Sequence, residues 1–290
     1  MIEGIVINGL VRGGLYALLA VGFSLIFGVA RMINLAHTSF YMLAAYGIYT
    51  FANVLGLSPI WSIVLSLVTT TLLGVGTYKL FIDRVREHHV TVLLITIALA
   101  IIFQECMVLA FGGHYLGAPS FVSGYWEVIG VKVSYQHLLI FGTVLVVLLG
   151  IWALLSKTSL GVAIRATAQD AEIANLMGID VSRILLLTMG IAVALAAVAG
   201  IVVAPTLVLE PRMWMHPLVM VMAIVVLGGL GSVKGSFVGA FILGFVEVLV
   251  VFLIPAGAFL KGAIALLVMV VILLVRPEGL FGVAFEEERL

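Results

Sequence analysis

Residues 5–29 read IVINGLVRGGLYALLAVGFSLIFGV, an apolar stretch in which Arg12 is the only charged side chain. An α-helix rises about 1.5 Å per residue, so roughly 20 apolar residues cross the hydrocarbon core of a bilayer. The stretch therefore predicts a membrane-spanning helix. It also implies that much of this protein has lipid as its solvent.

The composition of the whole chain supports that interpretation. Of its 290 residues, 64% are hydrophobic and 10% are charged, and the mean hydropathy is +1.33. A water-soluble surface cannot be built from such a composition. The formal net charge is zero, with 14 basic and 14 acidic side chains, so no net field attracts nucleic acid. Lipid is the expected environment, and no nucleic-acid partner is expected.

Eight further hydrophobic stretches follow the first, separated by charges, polar runs or Gly/Pro clusters. The nine predicted segments cover residues 5–29, 40–54, 61–80, 90–111, 135–155, 184–209, 218–231, 236–254 and 259–275. The second and seventh are short enough to be broken or re-entrant elements. The sequence thus predicts an all-α polytopic bundle of about eight to nine membrane segments, forming one transmembrane domain over residues 1–290.

The orientation follows from the basic residues in the connections, since cytoplasmic connections carry an excess of Lys and Arg. With the N-terminus outside, the inner side receives Arg31, Lys79, Arg84, Arg86, Lys157, Arg165, Arg183, Lys234, Arg276 and Arg289. The outer side then receives only Arg12, Lys132, Arg212 and Lys261. We therefore expect an external N-terminus and a cytoplasmic C-terminus.

The connection over residues 157–183 is too polar to span a membrane and too patterned to be a plain linker. Within it, SLGVAIRATAQDAEIANLMGID covers residues 159–180. Asp170 can cap a short helix, Glu172 lies in its first turn, where the helix dipole favours an acid, and Gly178 can end it. A helix of about two turns is predicted here.

That short helix carries an apolar stripe formed by Ile173, Leu176 and Met177, which recur at three- and four-residue spacing. An apolar stripe on a segment assigned to the cytoplasm needs a partner. It can pack against the inner helix ends of the same protein, or it can dock in a groove on a cytoplasmic subunit. Both alternatives stay open at this point.

Several motifs resemble the permeases of ABC importers for branched-chain amino acids. They are the loop over residues 157–183, NGLVRGGLYALLAVGFSLIFG (8–28), INLAHTSF (33–40), VLGGLGSVKGSFVGA (226–240) and RPEGLFG (276–282). Thr38 departs from the family pattern, which usually has Gly after Asn-x-Ala-His. The departure affects the turn geometry expected there and not the resemblance as a whole.

The resemblance implies a permease subunit of a bacterial or archaeal plasma (inner) membrane. Its implied partners are a second homologous permease subunit, two ABC ATPase subunits and an external substrate-binding protein. It also implies that Arg165, together with residues 170, 172, 173 and 176–178 of the loop helix, couples the permease to the ATPases.

Two glutamates lie within apolar segments, Glu105 and Glu247, and a charge at mid-membrane costs about 2.5–3.5 kcal/mol on insertion scales. Each must therefore face protein or water, or be protonated. For both glutamates, two explanations stay open: a hydrogen bond between helices or a role in the translocation pathway. The same two explanations apply to Gln104. Glu247 lies in ILGFVEVLV, where the resembled family commonly has glutamate.

A polar cluster occupies the inner end of the first predicted hairpin. Asn34, His37, Thr38 and Ser39 can satisfy backbone groups that a helix break would free. We interpret His37 as a structural group and assign no catalytic residue. Together with Gln104, Glu105 and Glu247, these four are the candidates for the pathway or for helix breaks.

The expected motifs of enzymes are missing from this chain. It has no H-E-x-x-H zinc motif and no G-x-S-x-G elbow, and GGLGSVKGS (228–236) has its lysine in the wrong register for a phosphate loop. The single cysteine, Cys106, excludes an intrachain disulfide or a cysteine metal site and is interpreted as a packing residue. No metal or other cofactor is expected on this chain, and any ATP would be hydrolysed by partner subunits.

These features predict a non-enzymatic permease that moves branched-chain amino acids, or a related small solute, by alternating access driven by partner ATPases. Urea, short amides and other small solutes remain alternatives as substrates. An ion-coupled secondary transporter is a further alternative, because glycine-interrupted helices and buried glutamates also suit ion coupling.

Overall fold

The computed structural model describes residues 2–128 and 131–281. In that part of the chain the elements are almost entirely helical. The eleven described α-helices are α1 (Ile2–Ala30), α2 (His37–Tyr49), α3 (Pro59–Thr77), α4 (His89–Phe111), α5 (Tyr135–Lys157), α6 (Ser159–Gln169), α7 (Ala171–Leu176), α8 (Val181–Val203), α9 (Met215–Gly228), α10 (Val233–Leu253) and α11 (Gly257–Val275).

Three of these helices continue into tighter or wider turns. Single π-helical turns extend α2 over Thr50–Val54 and α3 over Tyr78–Ile82, and a 3₁₀ turn extends α8 over Ala204–Thr206. A short antiparallel hairpin, β1 (Tyr125–Val128) and β2 (Val131–Ser134), lies before α5 with Tyr125 opposite Ser134. This hairpin was not predicted.

Seven of the described helices are long and apolar enough to cross a membrane, namely α1, α3, α4, α5, α8, α10 and α11. The other two predicted segments correspond to shorter helices, because α2 has 13 residues before its π turn and α9 has 14. The prediction of a polytopic helical bundle is confirmed, including the shortness of its second and seventh segments.

The centre of the bundle is α2, in which ten of the 13 residues are buried. Around it, the most apolar 18-residue stretch is 83% buried in α1 and 67% buried in α8. The corresponding shares are only 11% in α5 and 6% in α11. Those two helices are therefore peripheral, with faces left for lipid or for another subunit.

Glycines set how closely the central helices approach one another. A Cβ at Gly200 of α8 would collide with the backbone carbonyl of Tyr41 in α2. A Cβ at Gly244 of α10 would lie 2.6 Å from the Cα of Gly13 in α1. Without a hydrophobic drive between helices in lipid, such close backbone contact provides much of the association energy.

The connections gather at two opposite ends of the bundle. At one end, Leu280 and Phe281 donate backbone hydrogen bonds to the carbonyls of Leu227 (2.8 Å) and Gly228 (3.1 Å), which cap the last turn of α9. At the other end, Leu116 and Leu209 pair through two backbone hydrogen bonds. Residues 280 and 281 of the RPEGLFG motif therefore contact the start of the GGLGS motif, although the two motifs are about fifty residues apart in the sequence.

Candidate functional site

The break between α1 and α2 contains the predicted polar cluster. Arg31 has a positive φ of 50°, and Asn34 Oδ1 accepts a hydrogen bond from the backbone N–H of Ala36 at 3.0 Å. Ser39 Oγ donates to the Ala36 carbonyl at 2.6 Å, and His37 Nε2 donates to the Leu19 carbonyl of α1 at 3.0 Å. These bonds satisfy backbone groups at the break, which is a structural function.

Thr38 is buried beside this cluster, at the position where the resembled family usually has glycine. It lies in the first turn of α2, which begins at His37, and is accommodated in ordinary helix there. Thr96 of α4 reaches the same break, because its Oγ1 accepts a hydrogen bond from Leu35 N at 3.2 Å. Sequence reasoning did not identify Thr96, since a threonine within an apolar helix gives no distinguishing signal.

Gln104 and Glu105 are adjacent in α4 but occupy different environments. Gln104 is buried, and its Oε1 accepts a hydrogen bond from Trp214 Nε1 at 3.0 Å, which ties α4 to the start of α9. Glu105 is exposed on the surface of α4, where its Oε1 accepts from Gln104 Nε2 at 3.1 Å. Cys106 is exposed as well, so its interpretation as a packing residue within this chain is wrong.

Glu247 is the most deeply buried acidic side chain of the described residues, at 1% exposure. Tyr16 of α1 donates its hydroxyl proton to Glu247 Oε2 at 2.5 Å. Lys261 Nζ of α11 lies 3.0 Å from Oε1, and His216 Nε2 of α9 lies 3.8 Å from the same oxygen. One carboxylate thus connects α10 to three neighbouring helices.

Arg12 belongs to the same region, close enough to Glu247 and Tyr16 to interact with both electrostatically. Sequence reasoning identified Glu247 but not Tyr16, His216 or the roles of Arg12 and Lys261. The available signal was the position of the two basic residues. Arg12 and Lys261 each lie within an apolar segment, where a charge needs a counter-charge. The count of basic residues in the connections places both of them on the outer side.

A small cavity of about 190 Å³ opens beside this polar cluster. Its wall is formed by α1, the start of α5, the end of α8, α10 and α11. The charged lining residues are Arg12, Glu247 and Lys261, and the apolar ones include Val11, Leu207 and Val251. We refer to this space as the polar cavity.

A second and much larger space runs along the outside of the same helices. It measures about 1160 Å³ and lies between α1, α5, α6 and α10, with Leu25, Val144 and Phe237 among its apolar lining residues. Arg165 and Lys234 provide its charged positions. We refer to it as the lateral groove.

The connection between α5 and α8 contains two helices where the sequence predicted one. Thr158 Oγ1 caps α6 by accepting from Gly161 N at 3.0 Å. Asp170 Oδ1 caps α7 by accepting from Glu172 N and Ile173 N, both at 2.9 Å, and Gly178 ends the turn with a φ of 86°. The sequence pattern did not predict α6. The N-cap of this helix, Thr158, lies just before the stretch at residues 159–180 on which the prediction was based.

The apolar stripe of α7 projects away from the protein. The exposed fractions are 59% for Ile173, 81% for Leu176 and 80% for Met177, whereas Ala174 on the opposite face is buried. The stripe therefore does not pack on the inner helix ends of this chain, which removes one of the two alternatives. Arg165, on α6, is exposed at the edge of the lateral groove.

A bundle in which seven of the described helices are long and apolar enough to cross a membrane defines a multi-pass membrane protein. Residues 5–273 match the family described as the permease component of the branched-chain amino acid transport system. The chain belongs to this family, and it is an integral protein of the plasma (inner) membrane.

Named relatives cover almost the whole chain. The high-affinity branched-chain amino acid permease BraD of Pseudomonas aeruginosa is 30% identical, with 95% of this chain and 94% of BraD aligned. LivH of Escherichia coli, of the same description, is 28% identical over the same shares.

Among solved structures, an ABC transporter described as of metal-chelate type, in an inward-facing conformation, is similar with a TM-score of 0.54. The match covers 92% of this chain and 85% of that one at 17% identity. At this level of identity the likeness concerns the fold alone.

Proposed function

We propose that this chain is the membrane-spanning subunit of an ABC importer that moves branched-chain amino acids inward by alternating access. The observation that carries the proposal is the capped helix α7 with its exposed stripe of Ile173, Leu176 and Met177. An ATP-driven transporter needs a surface that receives force from a separate ATPase. An ion-coupled carrier needs no such surface.

In this proposal, α6 and α7 lie in the cytoplasm and dock in a groove on one of the two ABC ATPase subunits of the complex. Three adjacent apolar side chains, each more than half exposed, are costly in water and are suited to burial in a partner groove. Asp170 and Glu172 are exposed at the start of α7, and Arg165 is exposed on the preceding helix α6. These charged groups would supply polar contacts around the stripe.

The lateral groove supports a second permease subunit as a further partner. It is open along the bundle and lined mainly by apolar residues of α1, α5 and α10. The groove therefore resembles one half of a translocation path between two subunits. Docking of a homologous subunit against α5 and α10 would enclose it. An external substrate-binding protein would deliver the solute at the opposite end of the bundle from α7.

The substrate class rests on the relatives and on the lining of these spaces. BraD and LivH are described as high-affinity branched-chain amino acid permeases. The apolar lining of the lateral groove suits a solute with an aliphatic side chain. Urea and short amides are the competing substrates, and they present much less apolar surface.

The test is uptake by the reconstituted complex of this chain with its permease partner, ATPases and binding protein in proteoliposomes. We expect labelled leucine, isoleucine and valine to accumulate only with ATP inside the compartment that holds the ATPases. Uptake of urea or acetamide in place of these amino acids would refute the substrate assignment. Uptake driven by an ion gradient without ATP would refute the transporter class.

A further inference from the structure

The Arg12 guanidinium is a feature of the polar cavity that the hydrogen bonds between the helices do not explain. Glu247 is bonded to Tyr16 and paired with Lys261. For Arg12, no hydrogen bond or ion pair occurs with any described residue in 2–128 or 131–281, although Glu247 and Tyr16 influence it electrostatically. Arginine presents five donors in a rigid fork, and Arg12 lines this cavity.

We propose that the polar cavity binds the carboxylate group of the transported solute through Arg12. The inference rests on the proposed function, because it takes the solute to be an amino acid. It adds the group that is recognised and the residue that recognises it. Arginine is the side chain best matched to a planar carboxylate, since two parallel N–H donors can reach both oxygens.

The charges of the cavity favour an anionic group. Arg12 and Lys261 are two cations, and Glu247 is the only acidic side chain among the lining residues. Lys261 already compensates Glu247 at 3.0 Å. Arg12 is also an electrostatic neighbour of Glu247, so the two cations share one carboxylate. The lining therefore carries one more positive than negative charge, and a second carboxylate would neutralise the excess.

The size and the remaining walls fit a small aliphatic amino acid. The volume of about 190 Å³ corresponds to about six water molecules at 30 Å³ each, which is the scale of a single metabolite and too small for a peptide. Val11, Leu15, Leu207, Val248 and Val251 supply apolar surface beside the charges. A neutral solute such as urea would leave Arg12 without a counter-ion and make little use of these walls.

The position within the bundle assigns the site to an early stage of transport. Glu247 lies six residues before the end of α10, about 9 Å along the helix axis. Lys261 lies in the first turns of α11, and Leu207 follows the end of α8. All three are at the end of the bundle opposite α7, where the proposed binding protein would release its solute.

The experiment measures binding of two matched probes to the purified complex in nanodiscs without the binding protein. Leucine carries the carboxylate, and leucinamide replaces it with a neutral amide while keeping the side chain and the amino group. We expect wild-type complex to bind leucine about tenfold or more tightly than leucinamide, the loss of a charge-assisted bidentate contact. Arg12→Gln should weaken leucine binding by the same factor and leave leucinamide binding unchanged.

Arg212→Gln is the matched control, because Arg212 is an exposed arginine at the same end of the protein and does not line the cavity. It should keep the full preference for leucine. If Arg12→Gln does not assemble, Arg12→Lys keeps the charge but loses the fork, and the preference for leucine should fall severalfold. A preference that survives in either Arg12 variant, or a wild-type complex that binds no leucine, overturns the carboxylate subsite.

These outcomes are separate from failure of the proposed function. In one outcome, the complex imports leucine with its binding protein while the ratio of leucine to leucinamide affinity does not depend on Arg12. That result supports the proposed function and refutes the carboxylate subsite. A complex that does not import branched-chain amino acids loses the proposed function, whatever the probes show.

Discussion

At the scale of single residues, the position of Glu247 shows how a charge is tolerated among apolar helices. Its carboxylate has a tyrosine hydroxyl on one oxygen and a lysine ammonium near the other, supplied by α1 and α11. Burying such a pair costs desolvation energy, and the partners offset much of that cost. Removing one member of the pair therefore lowers the stability of the permease more than removing both members.

We predict that Glu247→Leu lowers the free energy of unfolding in detergent by about 2–3 kcal/mol, less than for a fully buried pair because Lys261 stays partly exposed. The double variant Glu247→Leu with Lys261→Met should recover part of that loss, since Lys261 is then no longer left as an unpaired cation. Glu105→Leu is the control, because Glu105 is exposed on α4. Equal losses for Glu247→Leu and Glu105→Leu would contradict this account.

At the scale of elements, α7 is a short helix whose stability is local and whose surface is unused within this chain. Its N-terminus is capped by Asp170, and its stripe points away from the bundle. A substitution on the stripe should therefore affect an external partner and not the fold of the permease.

We predict that Leu176→Asp leaves the yield and the thermal stability of the permease unchanged. Docking of the ATPases should weaken by on the order of 1–3 kcal/mol, the value of one buried large apolar side chain. Transport and the stimulation of ATP hydrolysis by loaded binding protein should fall accordingly. Co-purification of the ATPases and stimulated hydrolysis are the measurements.

Asn175→Asp adds the same charge to the same helix one residue away from Leu176, at an exposed position outside the stripe. In this variant, ATP hydrolysis should still be stimulated normally by loaded binding protein. A Leu176→Asp complex that retains its ATPases and full stimulation would refute the coupling role of α7, and a loss of permease yield would indicate a structural role instead.

At the scale of the whole molecule, the connections are divided between two ends, and the basic residues are unevenly distributed between them. The positive-inside rule assigns the end that contains α6, α7 and the turn at residues 229–232 to the cytoplasm. The N-terminus then lies outside. This orientation stays a prediction.

We predict that a cysteine at Ser123 reacts with an impermeant thiol reagent in intact cells and that a cysteine at Gln169 does not. Both positions are exposed, and they lie at opposite ends of the bundle. The background is Cys106→Ala, which removes an exposed thiol. Labelling at Gln169 without labelling at Ser123 would reverse the topology.

Local patterns in the sequence determined the class of fold, the two short segments and the helix capped by Asp170. The reason is that hydrophobic length, capping side chains and terminal glycines act within a few residues of one another. The glutamate of the site was also visible, because a charge in an apolar run is costly wherever it is placed.

Only the tertiary structure decided which apolar helices are central. In lipid, high hydropathy is found on buried and exposed helices alike, so α1 and α11 are both apolar enough to span a membrane but opposite in burial. It also decided that Glu105 is exposed while Glu247 is enclosed by Tyr16, His216 and Lys261, and that Arg12 opens into the same cavity. Tyr16 and Glu247, for example, are 231 residues apart, and only the packing of their helices brings them together.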